Sequence, residues 1–410
     1  MKHLKIIFRT FLGLFLCSLF AETASANRQE APGRYSSEYF DSVEVSLLTC
    51  EPHDEVYSLY GHTALRWHDR HASGGTDLTF NYGVFDWRRP HFVARFIMGL
   101  TDYELGAYPY PLFLKEYQHF GSMVTEQVLN LNSREKARLE QALMLNLQPA
   151  NRIYRYNYFY NNCTTKARDI IEQCIDGTLE YTDNKRDSKS YRDMVHEMTR
   201  HHPWSRFGND LLLGIRADQP TTQRQQEFLP GNLMADFDHA KITDNGEERP
   251  LVSESRTALP AGTKTVQPAF PLSPWQCSII LGLAAIALCA VQLRRKQSLL
   301  WWDAALMLAT GTVGIVLSLM LFSQHPTVSL NLQLILLNPL PWCFLWPVMR
   351  RRSSRRYWQA TAILSVLFLV GALFQHYAEG IHVVALCLLL QCYVHLKTDI
   401  KQEQTSKKHK

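Results

Sequence analysis

Apolar residues fall along this chain in three regimes, and each predicts a different kind of structure. Near the N-terminus an apolar run over residues 6–20 follows Lys2, Lys5 and Arg9 and precedes Ala24, Ser25 and Ala26, the layout of a cleaved export signal. Residues 1–26 are read as that signal; Leu16, directly before Cys17, argues against a lipoprotein signal. From 27 to 245 apolar and polar positions intermix. Residues 42–48, 63–67 and 78–84 alternate with period two, which predicts strands, and 69–75 supplies turn residues between the last two. Residues 133–147 carry a helical period, with Ser133 at the start and Glu135 nearby. The expectation is an α+β domain with a small antiparallel sheet, long enough to bury its own core.

Residues 246–274 lose the apolar period and are rich in Pro, Ser, Thr and Ala, which reads as a linker. Beyond them, apolar stretches at 275–293, 299–322, 332–349, 358–374 and 381–396 predict an all-α bundle of about five membrane-spanning helices, ending in a basic tail at 397–410. Arg294, Arg295 and Lys296 follow the first stretch, and Arg350, Arg351, Arg352, Arg355 and Arg356 follow the third. The loops at 323–330 and 375–380 contain no Lys or Arg. By the positive-inside rule the linker end lies outside, where an export signal would also deliver it. The expected location is the bacterial inner membrane, with residues 27–245 in the periplasm. Pro339, Pro341 and Pro347 predict a kinked or partly interfacial third span. The net charge of +5 sits largely beside the membrane segments and does not point to nucleic acid. The scarcity of charges within the spans disfavours an ion pathway.

Two segments carry the residue types of catalysis. Residues 59–66 read Leu-Tyr-Gly-His-Thr-Ala-Leu-Arg, which places His62 at the start of a strand directly after a glycine. Residues 156–169 contain Asn161, Asn162 and Cys163, after which Ala167, Ile170, Ile171, Cys174 and Ile175 recur at helical spacing. Either Asn would cap that helix, so Cys163 falls in its first turn, where unpaired N–H groups and the helix dipole favour a thiolate. A thiolate beside an imidazole is an activated nucleophile. The plainer alternatives are a packed or bridged Cys163 and a structural His62. Of nine cysteines, Cys50, Cys163 and Cys174 fall in the exported part. Cys174 lies about 16 Å along the helix from Cys163, so Cys50 with Cys174 is the one bridge within the domain that leaves Cys163 free. Asn81 or Asp86 could orient the imidazole. His68 and His71 beside Asp69 read as a solvated turn, and no metal-ligand spacing, serine-hydrolase elbow or phosphate loop occurs. No metal or cofactor is expected.

The sequence resembles the Lnb-type membrane proteins, which are lipoprotein N-acyltransferases. The matching stretches are YGHTALR at 60–66, the strand of 127–131 followed by Asn132 and Ser133, YNYFYNNCTTKARD at 156–169, and HPTVSLNLQLILLNPL at 325–340. The order of His before Cys is also similar to the permuted papain-like fold. The resemblance implies Cys163 as nucleophile and His62 as base, with Asn81 or Asp86 third. It implies transfer of an acyl chain from a membrane phospholipid, through a Cys163 thioester, to the α-amine of a diacylglyceryl-Cys lipoprotein. Asn162 and Thr164, at the helix start, and His325, in the matching membrane segment, are the implied oxyanion or substrate residues. The aromatic run 154–160 could line an interfacial opening or form core. Two other readings are a membrane-anchored papain-like peptidase or amidase, which would not need five spans, and a non-enzymatic envelope scaffold.

Overall fold

The computed structural model describes residues 37–71, 75–85, 90–91, 94–95, 98–182, 188–266, 269–351 and 355–408. The export-signal segment and Asp86 lie outside them. In chain order the strands of the described residues are β1 (Val43–Cys50), β2 (His62–Asp69), β3 (Asp77–Val84), β4 (Asp102–Pro109), β5 (Val124–Leu129), β6 (Ile153–Arg155), β7 (Thr178–Glu180), β8 (Lys241–Asp244), β9 (Glu247–Pro250) and β10 (Val252–Leu259). Seven of them form one antiparallel sheet in the order β10-β5-β1-β2-β3-β4-β6, and β7-β8-β9 form a small second sheet. The domain is α+β, as the alternating segments predict.

Period two sorts the side chains of β1 onto two faces. Val43, Val45 and Leu47 join Leu65, Phe80, Leu139, Ala167, Ile170 and Ile171 in the main core, beneath the helices Ser133–Leu147 and Cys163–Cys174. Leu48 and Cys50 point the other way, into a cluster with Phe113 and Tyr117 of the helix Tyr110–Phe120. Full burial of a side chain such as Ile171 contributes about 1.5–3 kcal/mol, so the apolar stripe after Cys163 is what seats that helix. Cys174 belongs to the first face and Cys50 to the second, so the sheet separates them. Cys50, Cys163 and Cys174 are all free thiols.

Two details differ from the sequence expectation. The helix at 133–147 is capped by Asn132, whose side chain accepts from the Glu135 N–H at 2.9 Å, rather than by Ser133. The stretch 246–274 is not a linker throughout: β9 and β10 occupy 247–250 and 252–259, and β10 forms an edge of the main sheet against β5. Its partners there are charges, which is why no apolar period marks it. Arg256 reaches Glu126 at 3.1 Å, and Glu126 also receives Arg66 at 2.9 Å.

The C-terminal block consists of the helices Pro274–Arg295, Leu300–Met320, Leu340–Met349, Arg355–Gly371 and Ile381–Lys408. Among the described residues, four segments of it are long and apolar enough to cross a membrane: Pro274–Arg295, Leu300–Met320, Leu332–Met349 and Ile381–Thr398. Arg355–Gly371, at 17 residues, is slightly shorter. The third span is broken, with a 3₁₀ turn at Leu332–Ile335 and a helix that starts again at Leu340, after Pro339.

That break fastens the two halves of the molecule together. The helix Pro203–Leu212 ends with carbonyls that have no partner within the helix. Gln333 donates to the Asp210 carbonyl at 2.8 Å, Asn331 to that of Leu211 at 2.9 Å, and Gln375 to that of Leu213 at 3.1 Å. Gln333 also accepts from the Ala378 N–H at 3.1 Å. Behind them the buried Arg192 binds Asp210 at 2.7 Å, while Phe207, Leu211 and Leu212 pack on the membrane core. Gln333→Leu should therefore lower the stability of the purified full-length chain by about 1–3 kcal/mol, read as a lower unfolding midpoint, because it removes the acceptor of the buried Ala378 N–H and leaves the Asp210 carbonyl only its longer bond from Arg192, at 3.4 Å. An unchanged midpoint would contradict this mode of docking.

Candidate functional site

The helix start at Cys163 is built by Asn162. In extended conformation, its Oδ1 accepts from the N–H groups of Thr164 and Thr165 at 3.0 and 2.9 Å, and Thr165 Oγ1 accepts from the Asn162 N–H at 2.9 Å. The amide nitrogen of Asn162 donates to the carbonyls of Phe228 and Tyr158, at 2.8 and 3.1 Å. This cap places Cys163 at the first helical position, 8% exposed. It also occupies both ends of the Asn162 amide and the Thr164 N–H, so neither of those groups is left to bind a substrate oxygen. Asn162 thus positions the helix start and cannot serve in the oxyanion role suggested for it.

His62 reaches the same point from the sheet. Gly61 holds φ +78°, and a Cβ there would meet the Cys50 carbonyl oxygen at 2.7 Å, so only glycine lets the chain turn this tightly into β2. His62 then pairs with Cys50 across β1. The β2–β3 register of Leu65 with Phe80, counted on to the strand end, sets His62 diagonal to Asn81 on one face of the sheet. The His62 Nε2 to Asn81 Oδ1 distance is 2.7 Å, and Asn81 Nδ2 donates to the Tyr108 hydroxyl at 2.6 Å. With Oδ1 facing the ring, Nε2 is the nitrogen that carries the hydrogen. The other ring nitrogen is left for the sulfur, which stands close enough to His62 for each group to shift the other's pKa.

Gly83 makes the meeting possible. It lies between the two groups, with φ +151°, and a Cβ there would stand 3.1 Å from His62 Cε1 and 3.8 Å from Cys163 Cβ. A side chain would fill the gap that the imidazole and the sulfur share.

The electrostatics follow from this geometry. Burial pushes the Cys163 thiol up, but the His62 charge and hydrogen bond, the Thr63 N–H and the Thr164 hydroxyl outweigh it and bring the pKa down to about 7. Burial pushes His62 down, and the sulfur and Asn81 more than restore it, so His62 lies above its ordinary value. Opposite shifts on adjacent groups describe a thiolate–imidazolium pair. The other two thiols of the domain behave differently: burial raises Cys50 well above the usual range and pushes Cys174 up to about 11.

The pair opens on a cavity of about 160 Å³. One wall is aromatic, with Phe85 stacked on Tyr103 at 4.8 Å and Tyr103 on Tyr156 at 4.0 Å. Of the aromatic run, Tyr156 and Tyr158 line the cavity, Phe159 is core beside Tyr191 and Phe228, and Tyr160 is exposed. Glu51, His53 and Glu116 also line it, and Tyr108 and Gly83 complete the geometry of the pair. The sequence reading singled out none of these five. Thr164 contributes its hydroxyl, 3.8 Å from the sulfur and held by Thr63 at 3.1 Å. His325 is not brought to the cavity: it lies at the junction of the two halves, against Gly99. His71 binds Asp69 at 2.8 Å in an exposed turn, and no metal-ligating cluster occurs among the described residues.

Comparison with protein families matches residues 35–197 to the Lnb N-terminal periplasmic domain and residues 265–403 to the Lnb transmembrane domain. No curated protein and no solved structure matches the chain.

Alkylation by iodoacetamide should select Cys163 over Cys50 and Cys174, with a rate that rises through pH 7 as the thiolate forms. In His62→Gln the midpoint should move up, because burial is then opposed only by the Thr63 N–H and the Thr164 hydroxyl. Peptide mapping across pH checks both; equal labelling of the three thiols would contradict the pair. Gly83→Ala should slow the same labelling by crowding the imidazole, while a rate equal to that of the parent chain would show that Gly83 plays no such part.

Proposed function

Because the chain belongs to the Lnb family, we propose that it is a lipoprotein N-acyltransferase whose nucleophile is Cys163, with His62 as base and Asn81 as the residue that orients it. The observation that carries this reading is the Cys163–His62–Asn81 chain, opening on a partly aromatic cavity in a domain fastened to a membrane block.

The reaction runs in two transfers. The Cys163 thiolate attacks the carbonyl carbon of a phospholipid ester, and the resulting oxyanion is met by the backbone N–H of Cys163. The C–O bond breaks and the departing lysophospholipid takes its proton from the His62 imidazolium, leaving a thioester. The α-amine of a diacylglyceryl-Cys N-terminus then attacks that thioester. His62 accepts the amine proton, the C–S bond breaks, and the thiolate–imidazolium pair is restored. Asn81 keeps the imidazole in one tautomer through both steps. No cofactor enters either step.

Both substrates keep their acyl chains in a bilayer, which gives the membrane block its purpose. The domain is periplasmic by family, and the inner membrane, where newly exported lipoproteins reside, is the location that suits the reaction. The domain boundary on this reading lies after β10, near 259, and the remaining connection to the first span stays tied to the domain through Trp204, which donates to the Leu272 carbonyl at 2.7 Å.

In bacteria lacking any other such enzyme, Cys163→Ala should abolish N-acylation of lipoproteins while the variant inserts normally, read by mass spectrometry of lipoprotein N-terminal peptides. Full acylation by that variant would eliminate the assignment. Asn81→Ala should retain the nucleophile yet lower the rate about ten- to a hundredfold by releasing the ring from its working orientation.

A further inference from the structure

A second large cavity lies inside the membrane block and plays no part in the chemistry above. Its volume is about 240 Å³. It exists because the third span is broken: the turn Leu332–Ile335 and the ten-residue helix Leu340–Met349 leave open space against Leu300–Met320 and Arg355–Gly371. Leu336, Leu340, Phe344, Leu364 and Leu388 form its apolar walls. Two of its hydroxyls are bonded back to their own helices, Thr310 to the Leu306 carbonyl at 2.7 Å and Ser365 to that of Thr361 at 2.8 Å.

Arg356 stands at one end of this slot. From Arg356 to Ser365 the helix rises about 13 Å, close to the roughly 15 Å depth of one leaflet's hydrocarbon. The opposite end faces the docked domain, since Gln333 and Gln375 cap the Pro203–Leu212 helix there. Arg356 therefore opens on the leaflet away from Cys163. It makes no ion pair among the described residues, residues 340–371 contain no Asp or Glu, and Arg350, Arg351 and Arg355 crowd the same end.

We propose that this slot binds one acyl chain of an anionic phospholipid drawn from the leaflet opposite the Cys163 cavity, with Arg356 on its phosphate. The walls match a hydrocarbon chain in length and polarity. The guanidinium matches a phosphate, and a head group of net negative charge meets an end where Arg350, Arg351 and Arg355 also gather and where the one neighbouring carboxylate, Asp303, is held by Gln391 and His395. The lipid fills a void that would otherwise weaken the contact between the third and fourth helices.

The test uses the purified full-length chain in nanodiscs of phosphatidylcholine doped with a phosphatidylglycerol bearing a diazirine near the end of one acyl chain. After irradiation, crosslinks mapped by mass spectrometry should concentrate on residues 336–344 and 360–365. Ala360→Trp, which fills the slot, should largely remove them while sparing crosslinks to the outward face around Ile280 and Leu283; Leu364→Phe serves the same purpose if the Trp variant does not purify as a single species. Arg356→Gln should lower the preference over the matching phosphatidylcholine probe about fivefold. Crosslinks spread evenly over the outer helix faces, labelling unaffected by the filling variants, or equal labelling by the two probes would each overturn the proposal.

Discussion

A sulfur withdrawn from water holds a negative charge only when a positive one stands beside it, and most of the domain's architecture serves that condition. Cys163 and His62 lie about a hundred residues apart, and their meeting requires two surfaces to be set independently. The helix surface is set by the Asn162 cap and the stripe of Ala167, Ile170 and Ile171. The sheet surface is set by the tight turn at Gly61 and the pairing of β1, β2 and β3. Asn81 and Tyr108 then remove the ring's freedom to turn away. The sulfur gains its lowered pKa from these contacts despite its burial, whereas Cys50, buried in the cluster with Phe113 and Tyr117, has its pKa raised by that burial instead.

The same logic of satisfying buried polar groups fixes where this pair stands relative to the bilayer. Asn331, Gln333 and Gln375, together with Arg192, close the end of a domain helix whose carbonyls have no partner within it, so the domain is held by directional bonds as well as by apolar contact. Asn331 and Gln333 are available because the third span breaks before Pro339 and Pro341. One irregularity in the membrane block therefore both anchors the domain and opens the slot beside Arg356.

How much of this could be read from the sequence depended on how each element is stabilised. The strands at 43–50, 62–69 and 77–84 alternate because one face is packed, and the helix after Cys163 shows its stripe, so both were legible. β10 was hidden because its side chains answer charges on β5 and β1 rather than a core, as Arg256 does with Glu126 and Glu44. His62, Cys163 and Asn81 stood out by residue type and place, yet only register brings His62 and Asn81 onto one face. Tyr108 and Gly83 carry no local signal, since the first acts from a strand not foreseen and the second by lacking a side chain. Asn162 and Thr164 belong to the segment that the motif marks; the Asn162 amide and the Thr164 N–H build the helix start, while the Thr164 hydroxyl lies beside the sulfur. His325, singled out within a membrane motif, sits near the domain junction, while the docking bonds themselves fall to Asn331 and Gln333 a few residues on.

The proposed chemistry depends on Cys163 acting as an acyl-accepting thiolate at a lipid surface. Intact-protein mass spectrometry of the purified full-length chain, incubated with phospholipid vesicles in the absence of any amine acceptor, tests this most directly. The expected result is one added acyl chain located on Cys163, removed by neutral hydroxylamine, with a lysophospholipid released in equal amount. A chain that stays unmodified, or an adduct on any other residue, would contradict it.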